Sequence, residues 1–282
     1  MTVQGGNKKR EKLVLGKYSF PLGERTLIMG VLNVTPDSFS DGGKFNTLDH
    51  ALSQAAKMAE EGADIIDVGG ESTRPGHVPV SPEEELDRAL PIIKKLKQQL
   101  DLPVSIDTYK APVAREALEA GVDMVNDIWG LKADPDIAQL VSSFQVPICL
   151  MHNRNNTHYK DLINDLINEL RESIETASQA GIPPGNIVID PGIGFGKDLE
   201  GNLIIMNRLE ELQVLGYPIL LGTSRKSMIG KILNVPVEDR IEGTAATVTL
   251  GIAKGTDIIR VHDVKEMKRV AVMTDAMVRR DE

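Results

Sequence analysis

Eight short runs of apolar, largely β-branched residues punctuate this chain, and between them lie longer stretches in which apolar residues recur at helical spacing. The runs cover 26–33, 64–69, 104–108, 124–128, 148–152, 187–190, 219–222 and 258–261. The helical patterns cover 47–61, 81–100, 112–120, 136–144, 162–180, 199–212, 238–254 and 264–278. Such strict alternation implies parallel strands joined by right-handed helical crossovers, because a tight hairpin cannot connect parallel neighbours. Eight such units fit an α/β fold closed on itself, a (β/α)8 barrel of the TIM type. The rival is an open doubly wound sheet, which wants fewer strands and a G-x-G-x-x-G turn after the first of them; neither is seen. An internal echo supports the barrel. GADIIDVGG from Gly62, GVDMVNDIWG from Gly121 and GTDIIRVHD from Gly255 share one plan: a helix stops at a glycine, an aspartate follows, and an apolar strand runs to a polar residue at its carboxyl end.

A chain of 282 residues is long for one ordinary domain, and one-domain folds of about 250 residues are most often closed α/β barrels. Residues 1–12 read as a disordered tail and 13–24 as a short hairpin-like lead-in around Pro21 and Gly23, leaving 13–282 as one barrel domain. No apolar stretch approaches the roughly 20 residues that span a bilayer, and the basic N-terminus has no apolar signal region, so a cytoplasmic protein is expected. The single cysteine, Cys149, lies within VPICL and reads as a small core residue. A net charge of -9 argues against nucleic acid or an anionic membrane as the main partner. Cations for an anionic substrate must then be local, and Arg74, Lys226 and Arg260 stand at or just after strand-like runs.

Ligands of such barrels bind at the carboxyl ends of the strands, so the residues there are the candidates for a site. In order they are Asn33, the GGESTRPG segment from Gly69, Asp107, Asn126, Met151 with His152, Asp190, the GTSRKS segment from Gly222, and RVHD from Arg260. One or two of these are accounted for by helix capping, but two carboxylates and a carboxamide inside strand ends need partners in the barrel mouth. Asp107, Asn126 and Asp190 together suit a flat heterocycle with adjacent N–H donors and a carbonyl, such as a 2-amino-4-oxo pyrimidine. A hard-metal cage needs more oxygen ligands, and no histidine pair has ligand spacing. Arg260 and His262 are two apart on a strand, so they share a face and suit a phosphate or diphosphate. The one glycine-rich loop, DPGIGFGK from Asp190 to Lys197, fails both the dinucleotide and the P-loop patterns.

The motifs MGVLNVTPDSFSDGG, DVGGESTRPG, SIDTYK, NDIWG, LMHNR, IDPGIGFGK, LLGTSRKS, EGT and RVHDV occur in this order. Through them the chain resembles the dihydropteroate synthases, pterin-binding barrel enzymes of folate biosynthesis. That resemblance implies condensation of 6-hydroxymethyl-7,8-dihydropterin diphosphate with 4-aminobenzoate to give 7,8-dihydropteroate and diphosphate, with Mg2+ and through a dissociative pterin cation. It implies that Asp107, Asn126, Asp190 and Lys226 hold the pterin, with Arg260 stacked on the ring and Met151 lining its pocket. Asn33 would contact the magnesium-bound diphosphate, whose oxygens Arg260 and His262 would bind. Phe39, Thr73, Arg74, Pro75 and Phe195 would surround the aminobenzoate, with Ser227 by its carboxylate, and Asp41 would act from a loop, 33–43, that closes over the site. It further implies a homodimer through the later helices and competition by sulfonamide analogues of aminobenzoate. A pterin-dependent methyltransferase on the same barrel and an inactive pterin-binding paralogue are the alternatives. The first requires no diphosphate clamp, and the second would show erosion of the TPDSFSDGG loop or of Lys226, both of which are intact.

Overall fold

The β-branched runs do form strands, and the strands pair in parallel around a ring. A computed structural model describes residues 12–35, 44–72 and 78–279, with only the backbone of 44–47. The barrel strands are β3 (Leu27–Asn33), β4 (Ile65–Gly69), β5 (Val104–Asp107), β6 (Met124–Asp127), β7 (Ile148–Met151), β8 (Ile187–Asp190), β9 (Leu220–Leu221) and β10 (Ile258–Val261). They lie in the order β8-β7-β6-β5-β4-β3-β10-β9, and a parallel bridge between Ile189 and Ile219 joins β8 to β9 and closes the ring. The strands are buried on both faces, against the barrel interior and the surrounding helices, which is why they read as unbroken apolar runs.

The helices are α1 (Lys44–Glu60), α2 (Pro82–Gln99), α3 (Ala111–Glu119), α4 (Asp136–Phe144), α5 (Leu162–Gln179), α6 (Leu199–Asn207), α7 (Ser227–Leu233), α8 (Ile241–Ala253) and α9 (Val264–Val278). Helix α7 is absent from the periodic pattern because it has only seven residues before a left-handed Asn234 at φ 54°. The pattern at 199–212 divides into α6 and a 3-10 turn, Leu209–Leu215; that at 238–254 loses its start to another, Val237–Asp239.

The lead-in is a true antiparallel hairpin, β1 (Lys12–Leu15) with β2 (Tyr18–Pro21), but its turn is at Gly16 and Lys17 rather than at Pro21 and Gly23. Lys12, expected in the tail, begins β1; residues 1–11 lie outside the described residues. Leu13 and Leu15 are fully buried with Leu27, Met29, Ile65, Met124, Cys149, Val188, Leu220 and Ile258, so the hairpin forms an apolar floor under the amino ends of the strands. Cys149 is a core residue there, as its surroundings in the sequence indicate.

The internal echo has a physical basis. Gly62, Gly121 and Gly255 all have positive φ, at 98°, 91° and 93°, which ends each helix. Each following aspartate then accepts a backbone N–H at the start of the preceding strand: Asp64 from Ile28 at 2.8 Å, Asp123 from Val104 at 2.9 Å and Asp257 from Ile219 at 3.1 Å. Its own N–H returns a bond to the same residue's carbonyl. Three times, one aspartate fastens two neighbouring strands at the floor.

Candidate active site

Parallel register decides which side chains meet at the opposite end. Gly69 is paired with both Asn33 and Asp107, Asp107 with Asn126, and Met151 with Asp190. The strand-end residues therefore form one tier around the mouth. Gly69 leaves room between its neighbours: a Cβ there would lie 3.5 Å from Asn33 Oδ1 and 3.7 Å from Asp107 Oδ2. Gly222, just beyond β9, similarly sits between Asp190 and Arg260, with a Cβ position 4.0 Å from each.

Arg260 is the hub of this tier. Its Nε donates to Asp67 Oδ2 at 2.6 Å and its Nη2 to Asp107 Oδ2 at 2.6 Å. Asp67 Oδ2 also accepts from Asn126 Nδ2 at 3.1 Å. Asp67 and Asp107 are buried, and the Oδ1 of each has no hydrogen-bond partner among the described residues. An orphaned buried carboxylate oxygen costs about 1 to 3 kcal/mol or more, so two of them in one tier suit a ligand rich in N–H groups. Burial raises the Asp107 carboxyl to about 7, against the pull of Arg260 and with the Asp67 charge adding to the rise. Burial also raises Asp190, opposed by the N–H of Gly192, which donates to Asp190 Oδ1 at 2.7 Å, and by Lys226. Burial opposes charge on Arg260, but Asp67 and Asp107 hold it above its ordinary range.

Asp67 is not among the strand-end candidates because it lies two residues inside β4. Its signal is nevertheless present in the sequence: an acidic residue in the middle of an apolar run that must be buried on both faces.

On the far side, Lys226 Nζ stands 4.2 Å from the centre of the Phe195 ring. The segment carrying it is laced to its neighbours. Arg225, at φ 56°, makes a bidentate pair with Asp263 at 2.9 and 2.6 Å, and its N–H donates to Thr244 Oγ1 of the EGT motif at 3.1 Å. Ser224 Oγ accepts from the His262 N–H at 3.1 Å and lies 2.9 Å from His262 Nδ1. Arg260 and His262, expected to clamp a diphosphate, are held by different partners: Asp67 and Asp107 take the guanidinium, and Ser224 takes the imidazole. Ser227 is exposed at the first position of α7. Asp41, Phe39, Thr73, Arg74 and Pro75, like the loop at 36–43, lie outside the described residues.

Among the described residues no group of three or more histidine, cysteine, aspartate or glutamate side chains is arranged to hold a metal ion. The Asn33 carboxamide oxygen stands on the rim beside Gly69, where it would offer a magnesium one oxygen ligand.

Known proteins resemble this chain over most of its length. The pattern of the pterin binding enzymes matches residues 29–262. A dihydropteroate synthase of Clostridium beijerinckii is 60% identical over 267 residues, covering 94% of this chain and 99% of that protein. The crystal structure of the dihydropteroate synthase of Clostridium difficile in the presence of pteroic acid is 57% identical, with a TM-score of 0.91 over 93% of this chain and 100% of that one. That of Xanthomonas albilineans with 4-aminobenzoic acid is 40% identical, with a TM-score of 0.91 over 95% of this chain and 98% of that one. The chain belongs to the pterin binding enzyme family and, within it, to the dihydropteroate synthases.

Proposed function

We propose that this enzyme is a transferase that joins 6-hydroxymethyl-7,8-dihydropterin diphosphate to 4-aminobenzoate, releasing diphosphate and 7,8-dihydropteroate. The observation that carries this reading is the tier of Asp107, Asn126, Asp190 and Arg260 at one barrel mouth, with two buried carboxylate oxygens, Asp67 Oδ1 and Asp107 Oδ1, that have no partner among the described residues. Asp107 and Asp190 accept N–H bonds from the aminopyrimidine edge of the pterin, and Asn126 both donates and accepts. Met151 lines the ring, and Lys226 adds a donor from the β9 side. When Arg260 leaves Asp67 and Asp107 to stack on the bound ring, it places a positive charge beside the departing diphosphate, which His262 also faces.

The bond between the pterin methylene and the diphosphate oxygen breaks first, and the leaving group keeps the electron pair. Asp107 and Asp190 stabilise the resulting cation. The amine of 4-aminobenzoate then attacks the methylene carbon and loses a proton to solvent; an arylamine is uncharged at neutral pH, so no general base is required. A bound magnesium would neutralise charge on the diphosphate, with Asn33 as its protein ligand. Phe195 flanks the aminobenzoate ring with Ser227 near its carboxylate, and the family resemblance would add Thr73, Arg74 and Pro75 to a pocket that sulfonamides would enter. Asp41 acts in the closed complex, so Asp41→Ala is expected to lower turnover while pterin affinity is retained.

A homodimer is supported by α8 and α9, which leave Leu250, Val272, Met273 and Met277 exposed. Among the described residues no helix is long and apolar enough to cross a membrane, in keeping with a cytoplasmic enzyme.

The test is formation of dihydropteroate from the two substrates with magnesium. Product is expected; a chain that binds pterin but forms no product would overturn the reading. Slow release of diphosphate from the pterin substrate alone is expected from the dissociative order, and strict dependence on aminobenzoate would contradict it.

A further inference from the structure

The DPGIGFGK turn, which fails as a nucleotide loop, is built around one buried amine. Lys197 is 8% exposed, and its Nζ donates to the carbonyl oxygens of Phe195 at 2.7 Å and Gly192 at 2.9 Å. The same Nζ lies 3.0 Å from His152 Nδ1 and 3.4 Å from the His152 carbonyl oxygen. An ammonium has three N–H donors, so these partners saturate it and leave none for a substrate. Burial pushes His152 down to about 3, which keeps its ring neutral and Nδ1 able to accept. Burial also lowers Lys197, to about 7, against the pull of Asp190 and Glu169.

Backbone conformation shows how tightly the turn wraps this amine. Gly192, Gly194 and Gly196 have φ of 68°, 87° and 57°, and a Cβ on Gly192 would lie 2.0 Å from the His152 carbonyl oxygen. From outside, Asn202 Oδ1 accepts the Gly194 N–H at 2.6 Å and the Tyr159 hydroxyl donates to the Gly196 carbonyl at 2.8 Å. On its inner side the turn serves both halves of the site. The Gly192 N–H orients Asp190, and the Phe195 ring supports Lys226.

We propose that Lys197 is a positioning residue of the synthase reaction: by drawing the Gly192 and Phe195 carbonyls onto one ammonium, it aims the Asp190 carboxylate at the pterin and sets Phe195 against the aminobenzoate. This rests on the function proposed above. Wild type is therefore assayed first: without product the function fails and this proposal with it, whereas with product the variants decide the proposal alone.

Lys197→Met keeps the aliphatic stem and removes the donors; Lys197→Gln keeps two N–H donors on a shorter stem. For Lys197→Met, kcat/KM for aminobenzoate is expected to fall about ten- to a hundredfold, with a rise in the pterin dissociation constant and an unchanged circular dichroism spectrum. Lys197→Gln is expected to recover part of the loss. The fall should be clearly smaller in a Phe195→Ala background, because both changes act through one turn. Unchanged kinetics in Lys197→Met, or effects of Lys197→Met and Phe195→Ala that multiply in full, would overturn the proposal. So would failure of both lysine variants to fold, which would make Lys197 a folding residue.

Discussion

The two ends of the barrel use aspartate in opposite ways. At the floor, Asp64, Asp123 and Asp257 each accept a strand N–H and give their own N–H in return. Asp64 also pairs with Arg25 and Asp123 with Lys97. Towards the mouth, only three residues beyond Asp64, Asp67 on β4 keeps one carboxylate oxygen without a partner among the described residues, as does Asp107 on β5. The fold satisfies its acids where strands begin and leaves two of them, Asp67 and Asp107, with an oxygen unpartnered among the described residues towards the other end. Stability is therefore concentrated at the floor, and the mouth holds acceptors that only a ligand completes.

The contrast can be broken most forcefully at Asp107. Asp107→Ala leaves two pterin N–H donors unpaired, at about 1 to 3 kcal/mol each, so kcat/KM for pterin diphosphate is expected to fall by about 30-fold to 2 × 10⁴-fold. Denaturant unfolding of the same variant should show little loss of stability, because a buried carboxylate has been removed. The floor should answer in reverse. Asp123→Ala orphans the Val104 N–H and the Lys97 ammonium, so unfolding free energy should drop by about 1 to 3 kcal/mol while kcat/KM stays at the wild-type value.

A smaller effect separates the two roles by pH. The Asp107 carboxyl is raised to about 7, so its acceptor form is lost as pH falls through that value. Pterin affinity, read by titration calorimetry between pH 6 and 8, should weaken by up to about tenfold per unit below 7. The stability consequence has the opposite sign: a raised carboxyl favours the fold at pH below its unfolded value, and this contribution fades as pH rises through about 7. Smallest is Gly62→Ala, which forces a side chain to φ 98° beside Lys268 and should cost on the order of 1 kcal/mol of stability with no kinetic change.

Much of this was legible in the sequence because parallel strands buried on both faces leave an unmistakable apolar run, and a polar residue closing such a run must find its partner in the barrel mouth. Asp107, Asn126, Asp190 and Arg260 stand out on those grounds and meet in space. What could not be read was tertiary. Asp67 is hidden inside its run, and its role depends on Arg260, which is 193 residues away. Helix α7 is too short to show a period, and the hairpin turns at Gly16 because the Asp123 carboxylate lies against that glycine, where a Cβ would be 2.3 Å from its Oδ1. Lys197 was visible only as the last residue of a glycine-rich loop that fits no nucleotide pattern; that three carbonyls converge on it depends on the left-handed glycines before it.

The claim that acids at the mouth serve the ligand and acids at the floor serve the fold is tested most directly by titrating a pterin into wild type, Asp107→Ala and Asp64→Ala under one set of conditions. Wild type and Asp64→Ala should bind alike, with Asp64→Ala the less stable protein, and Asp107→Ala should show no measurable heat of binding. Wild-type affinity in Asp107→Ala, or loss of affinity in a folded Asp64→Ala, would contradict the account.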